Sequence, residues 1–500
     1  MKKSHKIKMW TPYLVLLTGI ILFIFSNGRL SVPFAAWIAP VFLLGYTRAK
    51  KPLRGLALLF ILMALSTRIM LHGIIPSSLG VLTYILTIYY AILWFLPYLA
   101  DRFTSKKIPG YLQTLVLPVT AVAFEYINNL FFGSWASIAY TQFNNLALIQ
   151  VGSITGMWGV TFIVMWFASV LFWVIDNQMK WSTVSKGVLI FSGTMSLVLL
   201  YGGFRLEVFK PKSDTVTVVS FTPTEQLEEY MLARDDLGYK SSLQMAKKDR
   251  TKLSSLLQEV YDAVFDHQES VLRPEVSITL WPEGMLPVLD EDEDAFIERG
   301  CQLARRKNVY LLMAYLLYPI ENPDQLAENK CVLINPDGIA EWEYLKAYPV
   351  PGSTDKAGDG ILPVSNTPFG KVSAAICYDM DFTALINQAG RKDIDLMLVP
   401  AWDWLAINPL HARMAVFRAI ENGFSMVRQT GEGLSIATDY HGRTLTSMDH
   451  FNTNDRTMQA KLPVEGVRTV YALIGDSFAW LCIFLFVCFI AWPFMKKKPF

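Results

Sequence analysis

Seven apolar stretches, at about residues 10–26, 31–47, 55–75, 79–100, 109–132, 156–175 and 187–203, precede a long polar region. An eighth follows it, at about 475–495. Each approaches or reaches the ~20 residues that a helix needs to cross hydrocarbon. The pattern predicts a membrane α-helical bundle of about eight spans, with residues 1–212 and 470–500 in the membrane part and residues 213–469 forming a separate domain. Lys and Arg collect at alternate connections: Lys2–Lys8, Arg48–Arg54, Arg102–Lys107, Lys180–Lys186 and Lys496–Lys498. The positive-inside rule then puts both termini in the cytoplasm and the polar domain outside. Arg205, Lys210 and Lys212 run against the rule, to which long translocated domains are insensitive.

Between 213 and 469 short β-rich runs alternate with helical ones. Strands are expected at 216–221, 276–281, 309–315, 332–335, 341–346, 372–376, 396–399, 425–429 and 435–439, and helices near 241–265, 295–306, 382–389 and 409–422. Pro336-Asp337-Gly338 and His441-Gly442 read as hairpin turns. This alternation predicts an α/β sandwich with a mixed sheet. The acidic run at 290–294 suits a helix N-terminus better than a cation.

With 52% apolar and 18% charged residues and a mean hydropathy of +0.31, the chain is too apolar for an ordinary soluble protein. A net charge of +2 gives no nucleic-acid footprint. A basic N-terminus leads into an apolar run with no small-residue cleavage site, so no cleavable signal is expected. The five cysteines show neither CxxC nor Cys/His metal spacing. Cys301 and Cys331 are candidates for a disulfide; Cys482 and Cys488 lie in the last apolar run. No HExxH, Walker loop or GxGxxG occurs, and neither a metal nor an organic cofactor is implied. Two charges, Arg68 and Glu125, lie inside apolar stretches, where they are either functional or a mutual or interfacial ion pair orienting the bundle. Residues 133–140, weakly polar and aromatic, read as a re-entrant segment or an interfacial aromatic belt.

The chemistry gathers at three strand ends. Cys377 follows the run Lys371–Ile376, Glu283 lies in Trp281-Pro282-Glu283-Gly284, and Lys346 closes Glu341–Leu345. A thiolate is a strong nucleophile that is scarce at neutral pH without a base or a positive field. Glu283 is placed to act as base, and Lys346 to stabilise an oxyanion and lower the thiol pKa. Singly these signals are weak, since a Cys after a strand is more often a packed small hydrophobe; together, in this order, they outweigh that reading. His411 is an alternative base, although its Arg/Glu/Asn-rich helix favours a surface or packing role.

On these residues the domain resembles the nitrilase (carbon–nitrogen hydrolase) superfamily, whose catalytic set is Glu, Lys and Cys in that order. Arg418–Gly423 is similar to the helix that follows the nucleophile in such enzymes, and Pro400–Asp403 to their post-strand segment. The whole chain resembles the apolipoprotein N-acyltransferases, with local likenesses at Phe124-Glu125-Tyr126, Gly156–Phe162 and Tyr471–Asp476. The resemblance implies an α-β-β-α sandwich domain with Glu283 as base, Lys346 as electrostatic stabiliser and Cys377 as nucleophile. Tyr378, Asp379 and Trp402 would line the site. It implies a phospholipid acyl donor, a lipoprotein acceptor and a bacterial inner-membrane protein acting as a monomer. A membrane-tethered amidase with water as acceptor is the competing reading. The sequence departs from the family in three places. No Glu follows Lys346 in the usual segment, which leaves Asp355 or Asp359 as substitutes; Asp379 stands where Glu is favoured; and Ser220–Pro223 lacks the expected Gln.

Overall fold

The structure, a computed structural model, describes residues 2–320, 325–353 and 355–495. The basic cluster Lys496–Lys498 and Thr354 lie outside the described residues. The chain divides into two compact units. One comprises Met1–Lys210, Asp381–Thr383 and Leu473–Phe500, the other Pro211–Met380 and Ala384–Ala472.

The first unit is helical. Each of the eight apolar stretches is a helix, as hydrocarbon demands of a backbone that must bond internally. Five are at once long and apolar enough to cross a membrane: Pro52–Met70, Val81–Lys107, Gly110–Phe132, Met157–Asp176 and Trp181–Val208. The other three, Lys2–Ile24, Pro33–Ala49 and Ser477–Met495, fall short of that measure over their described residues. Pro33 and Pro52 each open a helix, where the missing N–H costs nothing. Arg68 and Glu125 do not pair. Glu125 accepts hydrogen bonds from Ser137 Oγ (2.7 Å), Thr161 Oγ1 (2.8 Å) and the Ile138 N–H (2.9 Å), whereas Arg68 lies 3.2 Å from His72 Nδ1. Three donors satisfy the carboxyl locally, so it needs no distant cation. They belong in part to the 3-10 turn Ile138–Gln142, which buries the segment read as re-entrant or interfacial.

The second unit holds thirteen strands among the described residues: β1 (Thr215–Phe221), β2 (Ile278–Leu280), β3 (Pro287–Leu289), β4 (Tyr310–Tyr318), β5 (Glu328–Ile334), β6 (Ala340–Leu345), β7 (Ser365–Thr367), β8 (Gly370–Ala374), β9 (Leu396–Ala401), β10 (Ser425–Thr430), β11 (Leu434–Thr438), β12 (Thr444–Asp449) and β13 (Thr457–Pro463). They make two mixed sheets, β13-β1-β2-β4-β5-β6, with β3 beside β4, and β12-β11-β10-β9-β8-β7. The centres, β1-β2-β4 and β8-β9-β10, are parallel, and their strands are almost wholly buried runs, as parallel sheets covered on both faces require. Helices Arg250–Val271 and Glu293–Lys307 cover the first sheet through Phe265, Phe296 and Trp281. Helix Leu410–Asn422 covers the second at β10 and β11. Ser220 on β1 donates to Gln429 Oε1 on β10 (2.6 Å), joining the sheets face to face in an α-β-β-α sandwich.

Four strands, β3, β7, β12 and β13, and helix Thr224–Asp236 have no counterpart in the pattern reading; β3 and β7 are only three residues long, whereas β13 carries a clean alternation that the reading passed over. Cys301 and Cys331 are both buried and both free, so no disulfide joins them.

Candidate active site

Glu283, Lys346 and Cys377 lie just beyond the carboxyl ends of β2, β6 and β8, the edge at which open α/β sheets present their chemistry. Trp281 fixes the first loop from below: it is fully buried and donates Nε1–H to Gln268 (2.8 Å). The chain then turns at Gly284, whose φ of +56° is a conformation that other residues rarely adopt. Leu316 packs close against it as well.

The structure brings Glu283 and Lys346 together. Lys346 Nζ donates to Glu283 Oε1 at 2.5 Å, an oxygen that also accepts from Asn329 Nδ2 at 2.8 Å. The other carboxylate oxygen accepts the Trp402 N–H at 2.9 Å. Burial pushes the Glu283 carboxyl up, but the Lys346 ammonium, with hydrogen bonds from Lys346, Cys377 and Asn329, holds it below the usual carboxylate range. Burial alone would pull Lys346 down; the charges of Glu283, Cys377 and Asp379 carry it above the ordinary ammonium value. The pair is therefore ionised, in a site where Glu283 is 6% and Lys346 2% exposed.

Cys377 opens a 3-10 turn with φ +48°, a strained conformation for a non-glycine residue, costing about 1–3 kcal/mol. Its Sγ lies 3.8 Å from the Trp402 carbonyl oxygen. Burial first, and then the Glu283 charge, push the thiol above its ordinary value, while His411 and Lys346 pull against them. At neutral pH the sulfur rests protonated, so attack requires a proton acceptor.

Asp379 lies beneath the site. One oxygen accepts from Tyr344 Oη (2.8 Å) and from the Ile376 N–H (3.0 Å), the other from the Tyr348 N–H (2.8 Å). The single carboxylate thus ties the Cys377 turn to both flanks of Lys346. Burial raises it to about 6, against Lys346 and its three donors. Trp402 bridges Glu283 and Cys377 through its backbone, and its ring covers Gly431, where a Cβ would come within 2.1 Å of a ring carbon. Tyr378, next to the nucleophile candidate, is 7% exposed. Asp355 is half-buried and Asp359 exposed; Asp359 caps the Ile361 N–H (2.9 Å). Opposite Ser220, where a Gln was expected in β1, Gln429 reaches over from β10 and donates to Thr222 Oγ1 (2.9 Å).

Of the two roles read for His411, surface or packing, burial removes the first. The residue is 3% exposed, because that helix turns its first turn inward, and its ring reaches the sulfur: a ring nitrogen, an Asp403 oxygen and Cys377 Sγ lie within 4.8 Å of one another. Its Nδ1 lies 2.7 Å from Asp403 Oδ1. Arg428 grips both Asp403 oxygens at 2.8 Å. These three donors could in principle hold a zinc ion, but Arg428 already neutralises the carboxylate, and the set suits a hydrogen-bonded relay better. Asn329 and Arg428 carry no sequence signal, since each lies in an unremarkable strand and acquires its partner through the fold; Asp403 is marked only as the end of the Pro400–Asp403 segment.

A profile described as the apolipoprotein N-acyltransferase N-terminal domain matches residues 18–170, and one described as carbon–nitrogen hydrolase matches residues 241–472. Apolipoprotein N-acyltransferase 1 of Treponema denticola is 24% identical over 81% of this chain and 81% of its own. Apolipoprotein N-acyltransferase of Haemophilus influenzae is 23% identical over 96% of this chain and 94% of its own. The chain belongs to the apolipoprotein N-acyltransferase family. Among solved structures, an amidase from Nesterenkonia sp. is 17% identical with a TM-score of 0.36, covering 51% of this chain and 92% of that one. Within an apolipoprotein N-acyltransferase frame, the apolar helices and the sandwich domain are parts of one enzyme.

Proposed function

We propose that this chain moves a fatty acyl group from a membrane phospholipid to the N-terminal amine of a diacylglyceryl-cysteine lipoprotein through a thioester on Cys377. Glu283 accepts the thiol proton as Sγ attacks the ester carbonyl; the C–O bond breaks, and the proton leaves on the lysophospholipid oxygen. Lys346 stabilises the oxyanion of the tetrahedral intermediate and keeps Glu283 ionised between turnovers. The amine then attacks the thioester carbon and the C–S bond breaks. Asp379 and the Trp402 backbone hold these groups in register.

The observation that carries the reading is the buried Glu283–Lys346 pair beside Cys377 in a chain whose apolar helices match the N-terminal domain of acyltransferases. A site this dry protects a thioester from water, which an amidase would not need. The positive-inside pattern supports an extracytoplasmic domain, cytoplasmic termini and eight spans. A monomer suffices, because one chain supplies the whole candidate set. The test is incubation of purified protein with acyl-labelled phospholipid, then with a diacylglyceryl-cysteine peptide or with buffer alone. Label on the peptide amine supports the reading; free labelled fatty acid, equal in both arms, would replace it with a hydrolase.

A further inference from the structure

The second half of the proposed reaction has a proton balance that Glu283 alone does not close. An amine at neutral pH arrives as an ammonium, its ordinary pKa being about 8. Forming an amide removes two protons from that nitrogen. One restores the Cys377 thiol as the C–S bond breaks; the other needs a separate acceptor. Glu283, which relays the first proton to the sulfur, carries only one proton at a time and cannot also take the second.

We propose that His411 is that acceptor, a second acid–base residue at Cys377 that takes a proton from the incoming amine, with Asp403 and Arg428 as positioning residues. The inference rests on the acyltransferase reading above. Asp403 Oδ1 and an Arg428 guanidinium nitrogen, 2.7 and 2.9 Å from Nδ1, fix the ring. Arg428, fully buried, pins Asp403 with two 2.8 Å bonds so that the carboxylate cannot swing away. A ring nitrogen lies within 4.8 Å of the sulfur, close enough that an amine attacking the thioester carbon comes within its reach. The charged and titratable groups around it are Cys377, Asp403 and Arg428, with the ionised Glu283–Lys346 pair beyond the sulfur. An imidazole, with an ordinary pKa near 6.5, is the side chain best matched to this transfer at neutral pH. The steps balance: N–C forms, C–S breaks, Glu283 relays one of the amine's two protons to the sulfur, and His411 takes the other and passes it to solvent.

The experiment separates the two half-reactions in the full chain. Acyl-Cys377 is first formed with phospholipid, and transfer to a diacylglyceryl-cysteine peptide is then followed by rapid quench from pH 5.5 to 9.5. With wild type, transfer should rise with pH through an inflection that stays when the peptide amine is exchanged for one of different pKa. In His411→Gln, acyl-Cys377 should still form, transfer at pH 7 should fall on the order of 10²-fold, and the inflection should move up to the amine's own ionisation. A His411→Gln profile superimposable on wild type, or a wild-type profile that tracks the amine, would overturn the assignment. The wild-type arm decides the matter even if the variant fails to fold. Absence of any acyl-Cys377 in wild type would instead sink the parent reading.

Discussion

Lys346 Nζ stands 2.5 Å from Glu283 Oε1, with both side chains almost fully removed from water. An ion pair this dry is costly to break from one side, because the partner left behind keeps its desolvation penalty. Lys346→Met should therefore destabilise the protein by about 3–5 kcal/mol and abolish acyl-Cys377 formation. Adding Glu283→Gln should restore much of the stability and none of the activity. Thermal unfolding in detergent, alongside a single-turnover assay, reads both; a double variant no more stable than Lys346→Met would contradict the pairing.

The same pair sets an acid limit. Glu283 has its folded-state pKa below its unfolded value, so its contribution is present above the unfolded pKa of about 4.3 and is lost as pH falls through the folded one. The stability difference between wild type and Glu283→Gln should thus shrink below about pH 4.3 and stay flat from pH 5 to 8. Unfolding midpoints across pH 3–8 check the sign.

Asp379 behaves in the opposite sense. Its folded pKa of about 6 lies above the ordinary 3.9, so its contribution is fully present below the unfolded pKa and is lost as pH rises through 6. Wild type should gain stability relative to Asp379→Asn as pH falls from about 7 to about 4. The variant should also slow acylation, since an amide offers one acceptor oxygen where the carboxylate serves Tyr344, Ile376 and Tyr348 with two. The loss should appear in the rate of acyl-Cys377 formation more than in lipid affinity.

Gly431 is needed for its emptiness. A methyl there would collide with the Trp402 ring and shift the backbone that binds Glu283. Gly431→Ala should cost about 1–3 kcal/mol and reduce acylation, while Gly193→Ala, at a helix position with open space around it, should leave both near wild type.

The residues legible in the sequence were those whose chemistry lies at a strand end. Glu283 and Cys377 follow apolar runs and Lys346 closes the strand-like run Glu341–Leu345, so pattern and chemistry coincide, and the apolar stretches give their helices through length alone. What could not be read depends on packing across the fold. His411 looked like a surface or packing residue because its helix carries Arg418, Glu421 and Asn422, yet all three are buried, with Arg418 and Glu421 paired to each other. Arg68 and Glu125 looked like partners because both are charges in apolar stretches, whereas a turn twelve residues beyond Glu125 supplies its donor Ser137. Strand β13 alternates buried Met458, Ala460 and Leu462 with exposed Gln459 and Lys461, a strand signal the pattern reading passed over, and its place beside β1 follows from the closure of the sheet.

The most direct measurement is the mass of the Cys377 peptide after the purified protein meets phospholipid without an acceptor. The account predicts one added acyl chain on that peptide, removed by a lipoprotein amine and absent in Cys377→Ala. An unmodified Cys377 in protein that still acylates the acceptor would contradict it.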